Sequence, residues 1–349
     1  MKKNTPQTPV KLSNLELFTP SSKNAHQPGL KLFALLLLAT ISSQVSAQDP
    51  QFTQFFANPL YLNPAFTGST KCSRLVMNYR NEWPALSGTF ITSSVSYDQP
   101  VDALDGGLGL LITHDKAGGG TLNTISSSFL YSYYTEIGDN FSIRAGFQVG
   151  YMQKRLNWEK LTFGDMIDPR YGFIYETAET KVNNTKGNLD ISTGMVGYSK
   201  KYFGGIAVHH LTQPGEGFID QDNARLPFKI SIHAGAIIPL DEQKELKFAP
   251  NIVFQQQQDF QQLNLGFYLR KGPLYGGLWY RQAERNSDSF ILLTGIQMGD
   301  LRFGYSYDIT LSRLSTASAG SHELSTIVKF GCNKPKTKRW KEPPCFEWN

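Results

Sequence analysis

The chain has 349 residues, and its 34 Lys and Arg against 29 Asp and Glu give a formal net charge of +5. Five of the basic and one of the acidic side chains lie in the first 47 residues, which leaves 29 and 28 in the rest of the chain. This balance excludes the basic surface that nucleic-acid binding requires, and no apolar run reaches the roughly 18 residues of a transmembrane helix.

Residues 1–47 are predicted to be a signal peptide. Lys31 precedes the apolar run 32–39, and the small residues of 45–47 form a cleavage site before Gln48. The apolar run is short for a stable transmembrane anchor, although a retained anchoring helix is the alternative. The sequence therefore predicts export and cleavage after Ala47.

Residues 48–70 are predicted to form a plug-like segment. Asn-Pro steps at Asn58 and Asn63 favour turns and interrupt helices and strands. Aromatic rings accompany these steps and need a buried environment, so we expect the segment to enter the periplasmic mouth of the domain that follows. The predicted plug residues are Phe52, Phe55, Phe56, Asn58 and Asn63.

Residues 71–332 are predicted to form an all-β, transmembrane, antiparallel β-barrel of about 14 strands. Apolar and polar residues alternate with period two in stretches such as 141–152 and 228–238, and turn residues separate the stretches. Many such stretches in one exported chain indicate a barrel whose apolar side chains face lipid and whose polar side chains face a lumen. A soluble β-sandwich is the alternative. The strands are predicted at 73–81, 89–99, 106–115, 121–135, 140–155, 188–199, 202–211, 227–239, 245–256, 261–269, 274–282, 289–297, 300–308 and 322–331.

The lengths of the predicted connections support a barrel. All connections after even-numbered strands are short, whereas the long ones, 156–187 above all, follow odd-numbered strands. This sorting predicts periplasmic turns at one end and outer loops at the other. Alternation predicts mixed-sign charges in the lumen, among them Arg80, Asp308 and Glu323. It predicts aromatic residues, Phe203 included, on the lipid face.

The loop 156–187 carries the residues predicted to bind a partner: Phe163, Asp165, Asp168, Tyr171 and Phe173. Its apolar content exceeds what a solvated loop needs, so the loop either binds a partner or packs on the barrel mouth. The two carboxylates could ligate a cation, but beside Gly164 they are more typical of turn formation. We predict no metal site.

Three cysteines remain after the leader, so at least one is left over from any intramolecular pairing. Cys72 precedes the first strand, Cys332 follows the last, and Cys345 lies in the basic tail 333–349, which is predicted to be periplasmic. The periplasm permits disulfides. We predict a bridge from Cys72 to Cys345 or Cys332 and prefer Cys345, because a mobile tail meets the bond geometry more easily. Three free thiols are the alternative.

No catalytic or cofactor site is predicted. His209 and His210 are adjacent in a predicted strand and should face opposite sides, so we do not expect them to form one site. His114 and His233 lack a Ser or Asp partner at the spacing of a nucleophile, and no Gly-x-Ser-x-Gly motif occurs.

Several stretches, taken in order, resemble the PorP/SprF family. The stretch 75–84 is similar to the family's NYRNQWP motif, with Glu82 in place of Gln, and 161–168 is similar to its FGD.ID loop. Further similar stretches are 48–68, 198–201, 208–214, 226–229, 233–235 and 320–325.

The resemblance implies a non-enzymatic outer-membrane protein of the type IX secretion and gliding machinery of Bacteroidota. It implies a role in export or surface attachment of large secreted proteins such as gliding adhesins. It also implies partners in the periplasmic ring and in the peptidoglycan-associated parts of that machinery. The barrel is expected to contact the lipid of the outer membrane. Members of this family are not expected to form the main translocation pore.

The alternative function is that of a FadL-like outer-membrane transporter of hydrophobic small molecules. Fourteen strands and the Asn-Pro-Ala step at Asn63 are similar to such channels. A transporter needs an apolar interior pocket, whereas the predicted lumen is polar, and this difference favours the secretion function.

Overall fold

A computed structural model of the chain describes residues 49–181, 183–218, 224–243, 245–283, 289–311, 319–332 and 343–344. The predicted signal peptide lies outside the described residues, as do Cys345 and most of the predicted basic tail. Among the described residues, no helix is long and apolar enough to cross a membrane.

Fourteen long strands form one antiparallel sheet. In chain order, they are β1 (Ser73–Glu82), β2 (Phe90–Val101), β3 (Gly106–Ala117), β4 (Leu122–Ile137), β5 (Phe141–Leu156), β6 (Thr185–Tyr198), β7 (Tyr202–His209), β8 (Lys229–Ala236), β9 (Leu246–Gln257), β10 (Phe260–Lys271), β11 (Leu274–Ala283), β12 (Ser289–Met298), β13 (Leu301–Thr310) and β14 (Ser321–Phe330). A two-residue strand after β8, Ile238–Pro239, also pairs with β9.

The sheet is closed, because β14 pairs with β1 and β8 pairs with β9. Every long strand therefore has two hydrogen-bonded neighbours, which removes the edges that an open sheet would expose. The predicted fold, an antiparallel barrel of fourteen strands, is confirmed. Each strand begins and ends within three residues of its predicted first and last residue.

Short helical turns occur outside the strands. The α-helical turn Pro59–Leu62 lies between the 3-10 turns Phe55–Ala57 and Pro64–Phe66. The other 3-10 turns are Asp102–Leu104, Gly118–Gly120, Trp158–Lys160 and Gly164–Met166. Ile167–Asp168 pairs with Gly172–Phe173 within the long β5–β6 connection.

The two ends of the barrel differ in their connections. At the short-turn end, β2–β3, β4–β5, β6–β7, β10–β11 and β12–β13 are joined by two to four residues each, and β8–β9 by 237–245, which include the short strand Ile238–Pro239. At the long-loop end lie the β5–β6 connection (157–184), the β7–β8 connection (210–228) and the β13–β14 connection (311–320). The predicted sorting of loop lengths is therefore a property of the fold.

The strands have an apolar outer face and a polar inner face. Large apolar side chains point outward with about half of their surface exposed, as at Leu110, Phe129 and Tyr151. Inside, charged side chains such as Arg80, Arg144 and Glu323 are buried. Phe203 is an exception, because it is 5% exposed and packs inside the lumen, so its predicted place on the lipid face was wrong. Its neighbours Tyr202 and Ile206 point outward instead.

A disulfide joins Cys72 to Cys332. Strands β1 and β14 are paired with Ser73 opposite Phe330, so the two cysteines flank the closing seam at the short-turn end, with Cα atoms 4.2 Å apart. The preference for Cys345 is therefore corrected. The tail is not needed to reach Cys72, because the barrel register already places Cys332 beside it.

We expect peptide mapping of outer-membrane material without reduction to recover Cys72 linked to Cys332. Closing a loop with a sequence separation of 260 residues stabilises the fold by about 4–5 kcal/mol in the chain-entropy model. The variant Cys332→Ser should therefore melt at a lower temperature, and Cys345→Ser should melt like the parent. Recovery of Cys72 as a free thiol would contradict this assignment.

Candidate functional site

The loop hairpin, residues 163–175 of the β5–β6 connection, exposes an aromatic surface at the long-loop end. Tyr171 and Phe173 are 67% and 60% exposed, and Ile174 and Tyr175 are also exposed. Phe163 is half-buried and packs on Trp158 with ring centroids 5.2 Å apart. Four of these side chains thus point to solvent, and Phe163 helps to hold the base of the hairpin.

Both predicted carboxylates shape this hairpin. Asp168 accepts hydrogen bonds from the backbone N–H groups of Arg170 and Tyr171 and from the Tyr175 hydroxyl. The backbone N–H of Arg170, followed by these other donors, lowers the pKa of Asp168. Because the folded pKa is depressed, these bonds stabilise the hairpin at neutral pH and are lost as the pH falls through the lowered pKa. Asp165 likewise accepts from the Thr177 hydroxyl and the Ala178 N–H.

No group of three or more His, Cys, Asp or Glu side chains that could hold a metal ion occurs among the described residues. In the hairpin, the carboxylate oxygens of Asp165 and Asp168 accept bonds from their own loop, as turn formation requires.

The N-terminal segment, residues 49–70, lies inside the barrel. It begins near the long-loop end, where the Asp49 N–H donates to Gln257 at the end of β9. It leaves at the short-turn end, where Gly68 lies beside Asp98 of β2. The segment therefore extends along the lumen towards the long-loop end, beyond the mouth at which the sequence analysis places a partial plug. Its role as a plug stays a prediction.

The Asn-Pro steps give the segment its turns. Asn63 adopts an extended backbone, and its side-chain oxygen accepts from the Ala65 N–H at the start of the turn Pro64–Phe66. Its amide group donates to the backbone oxygen of Ile206 in β7. Gly146 in β5 makes room for this turn, because a Cβ atom there would lie 2.2 Å from the Ala65 nitrogen. Asn58 is buried, and its amide donates to Ser94.

The aromatic rings of the segment fill the middle of the lumen. Phe55 packs on Trp279 with ring centroids 5.1 Å apart, and Phe56 packs edge-on against Phe203. Phe52 packs on Tyr61 of the same segment. All three phenylalanines are at most 6% exposed. The five predicted plug residues are therefore all buried in the lumen.

Charged side chains of the barrel hold the segment at two levels. Glu323 in β14 accepts from the backbone N–H groups of Thr53 and Gln54 and from the Thr53 hydroxyl. Arg80 lies 3.7 Å from Glu323 and 3.1 Å from Asp308. Nearer the short-turn end, Asp98 accepts from the Gly68 N–H and pairs with Arg74 at 2.9 Å. Carboxylates in the lumen, each paired with an arginine, thus accept hydrogen bonds from backbone N–H groups of the segment.

A lumen cavity of about 640 Å³ lies between the segment and the long-loop end. Asp49 and Tyr61 of the segment contribute to its lining. The barrel contributes charged groups, among them Arg80, Asp115 and Lys229, together with apolar groups. The apolar lining residues include Trp83, Phe90, Leu111, Leu122, Met152, Leu226 and Phe260. The lining is more apolar than the sequence analysis predicts.

His209 and His210 both face this cavity, so the expectation that they point to opposite sides was wrong. His210 follows the last residue of β7 and adopts a left-handed backbone with φ 59°, which turns its ring inward. Its ring nitrogens lie 2.9 Å from Asp190 and 2.8 Å from Asp49. A doubly protonated ring donates to both carboxylates, linking the segment to β6. A period-two pattern cannot show such a turn.

Structures of similar architecture are known. The Ralstonia pickettii toluene transporter TbuX has a TM-score of 0.47 at 9% identity, over 78% of this chain and 93% of that chain. The P. putida toluene transporter TodX has a TM-score of 0.48 at 10% identity, over 77% and 92%. A Pseudomonas aeruginosa FadL homologue has a TM-score of 0.43 at 13% identity, over 77% and 93%. No curated protein matches the chain in sequence.

One protein family does match the sequence. The model of the type IX secretion system membrane protein PorP/SprF aligns with residues 44–328, which include the N-terminal segment and nearly the whole barrel. The closed barrel with its apolar outer face agrees with an outer-membrane protein of a secretion system. The chain therefore belongs to the PorP/SprF family of type IX secretion system membrane proteins.

Proposed function

We propose that this outer-membrane barrel supports export or surface attachment of large secreted proteins, such as adhesins, without catalysing a reaction. The observation that carries the proposal is the exposed aromatic surface of the loop hairpin, with Tyr171, Phe173, Ile174 and Tyr175 all more than half exposed. Exposed apolar patches of this kind mark protein-binding surfaces. Cargo is its proposed partner.

The barrel itself is proposed to be a closed platform and not the path of the cargo. The N-terminal segment acts as a plug, since its rings and its bonds to Glu323 occupy the middle of the lumen. A folded or extended cargo chain would have to displace them. Other secretion components are proposed to bind at the short-turn end, on the periplasmic side.

Removal of the hairpin surface tests the proposed role. Deletion of 163–175 is expected to leave the barrel assembled and to stop surface display of the cargo. The milder triple variant Tyr171→Ser, Phe173→Ser and Ile174→Ser keeps both turn-forming carboxylates and should reduce display at least tenfold. The control Leu211→Ser changes an exposed apolar side chain of the β7–β8 connection, outside the hairpin, and should have no effect. Normal display without the hairpin would refute the partner role.

The membrane orientation is tested with tags. A tag within 156–187 should be accessible from outside intact cells, and a tag after Asn349 should not, because long loops of such barrels face outward. The reverse labelling would invert the orientation. Labelling of both tags in cells of verified integrity would contradict the topology.

The alternative, a FadL-like transporter, gains support from the lumen cavity, whose volume suits a small ligand. The segment beneath the cavity argues against it, since a transported molecule needs an exit. An uptake assay with fatty acids and an assay for surface adhesin, run in parallel on a deletion strain, separate the two functions. Loss of uptake with normal adhesin display would favour the transporter.

A further inference from the structure

The outer face of β3, β4 and β5 carries a polar patch near the long-loop end. Lys116, Asn123 and Arg155 lie opposite one another in consecutive strands, so they form one row across the sheet. The next row towards the short-turn end contains His114, Ile125 and Gln153. The two rows make up the patch.

The patch borders the apolar surface of the barrel. The next row towards the short-turn end contains Ile112 and Tyr151, each 51% exposed. Polar outward positions next to such a surface, with an aromatic ring at the boundary, lie at the level of the lipid headgroups. The patch is therefore placed to contact headgroups and not acyl chains.

The patch is also the site where outward-facing charge is concentrated. Within the described strands, Lys116 and Arg155 are the charged side chains that face outward at the long-loop end. No ion pair to either of them occurs among the described residues, and Asp115, between Lys116 and His114, points into the lumen cavity. Neighbouring strands are about 4.8 Å apart, so the two cations, two strands apart, can reach one anion between them.

A third cation and a hollow complete the arrangement. The Lys160 ammonium donates to the backbone oxygen of Gly119 at 2.8 Å, which holds it over the β3–β4 turn beside the patch. A surface hollow of about 400 Å³ is lined by His114, Asn123, Ile125, Gln153, Arg155 and Asn157. Glu159 lies next to Lys160 in the 3-10 turn Trp158–Lys160 and is the carboxylate of that turn. Its lining combines the apolar side chain of Ile125 with the guanidinium of Arg155 and the amide groups of Asn123, Gln153 and Asn157.

We propose that this patch binds a phosphate group of lipid A, the phosphorylated glycolipid of the outer leaflet. Cations and amide donors at headgroup level suit the phosphate, and the apolar surface below suits the acyl chains. The choice of leaflet rests on the proposed orientation, in which the long loops face the cell surface. Binding of the lipid at β3–β5 places it beside the base of the β5–β6 connection.

The test uses the full mature protein in detergent and native mass spectrometry. The probes are bisphosphorylated lipid A, dephosphorylated lipid A, phosphatidylglycerol and inorganic phosphate. The double variant Lys116→Gln and Arg155→Gln should lose at least tenfold in affinity for bisphosphorylated lipid A. The matched control Lys271→Gln, at the short-turn end of β10, should bind like the parent. Heat-modifiable electrophoretic mobility verifies that each variant is folded.

Equal affinity of the double variant and the parent for bisphosphorylated lipid A would overturn the proposal. So would equal affinity for the dephosphorylated lipid, because the phosphate would then contribute nothing. Equally tight binding of phosphatidylglycerol would assign the patch to anionic lipids in general, and full competition by inorganic phosphate would assign it to a free anion. None of these outcomes depends on cargo display, so a failure here is distinct from a failure of the proposed function.

Discussion

The triple variant Phe52→Ala, Phe55→Ala and Phe56→Ala should release the N-terminal segment from the lumen while the fourteen strands stay paired. Each ring is nearly fully buried, and truncation of a buried phenylalanine costs about 3–5 kcal/mol. Phe55 and Phe56 both pack on Trp279, so their effects will not add strictly. The strands keep their own hydrogen bonds, because the segment contributes none to the sheet ladder.

Two measurements check this result. Protease added from the short-turn side should cleave the released segment, and the variant should conduct ions across a planar bilayer where the parent does not. Phe173→Ala is the matched control, since it removes a ring that is 60% exposed in the loop hairpin. If the triple variant resists protease as the parent does, the rings do not hold the segment in place.

The strand pattern is the part of this fold that the sequence specifies best. Each strand is local, and its two faces meet very different surroundings, so a one-residue error would place an entire face wrongly. Glycines and short polar stretches mark the turns. The number of strands, their bounds and the sorting of loop lengths therefore follow from period two and turn chemistry alone.

Most failures of prediction depend on contacts between distant residues. Phe203 faces inward because it alternates along β7 with the outward-facing Tyr202 and Ile206, and Phe56 of the N-terminal segment packs against it there. His210 turns inward at a left-handed backbone position and meets Asp49, 161 residues away in sequence. Cys332 meets Cys72 because the closing seam sets their register. Nothing local in the sequence encodes the contacts of His210 with Asp49 and of Cys332 with Cys72.

The placement of the N-terminal segment follows the same rule. Its rings and Asn-Pro steps predict burial, but how far it extends depends on acceptors that the barrel supplies, Glu323 and Gln257 among them. The polar His-Glu-Leu-Ser stretch at 322–325 is visible in the sequence. Its role in binding the segment becomes apparent only when β14 is placed beside Thr53.

Glu323→Ala is expected to loosen the same segment by a different route. The Glu323 side chain is buried, and its two oxygens accept from two backbone N–H groups and one hydroxyl of the segment. Removal leaves the N–H groups of Thr53 and Gln54 without an acceptor and takes one carboxylate from Arg80. Loss of one partner of a buried ion pair costs about 3–5 kcal/mol.

Comparison with Glu323→Gln separates charge from hydrogen bonding. The amide oxygen still accepts from the segment, whereas the attraction to Arg80 is lost, so Gln should give an effect between those of the parent and Ala. Hydrogen exchange of 49–70 measures the loosening, and Glu242→Ala in the β8–β9 turn is the solvent-exposed control. Protection of Thr53 and Gln54 in Glu323→Ala equal to that of the parent would show that the aromatic contacts alone hold the segment. Strong deprotection with all three rings intact would show that the rings alone do not hold the segment and that Glu323 is needed to anchor it.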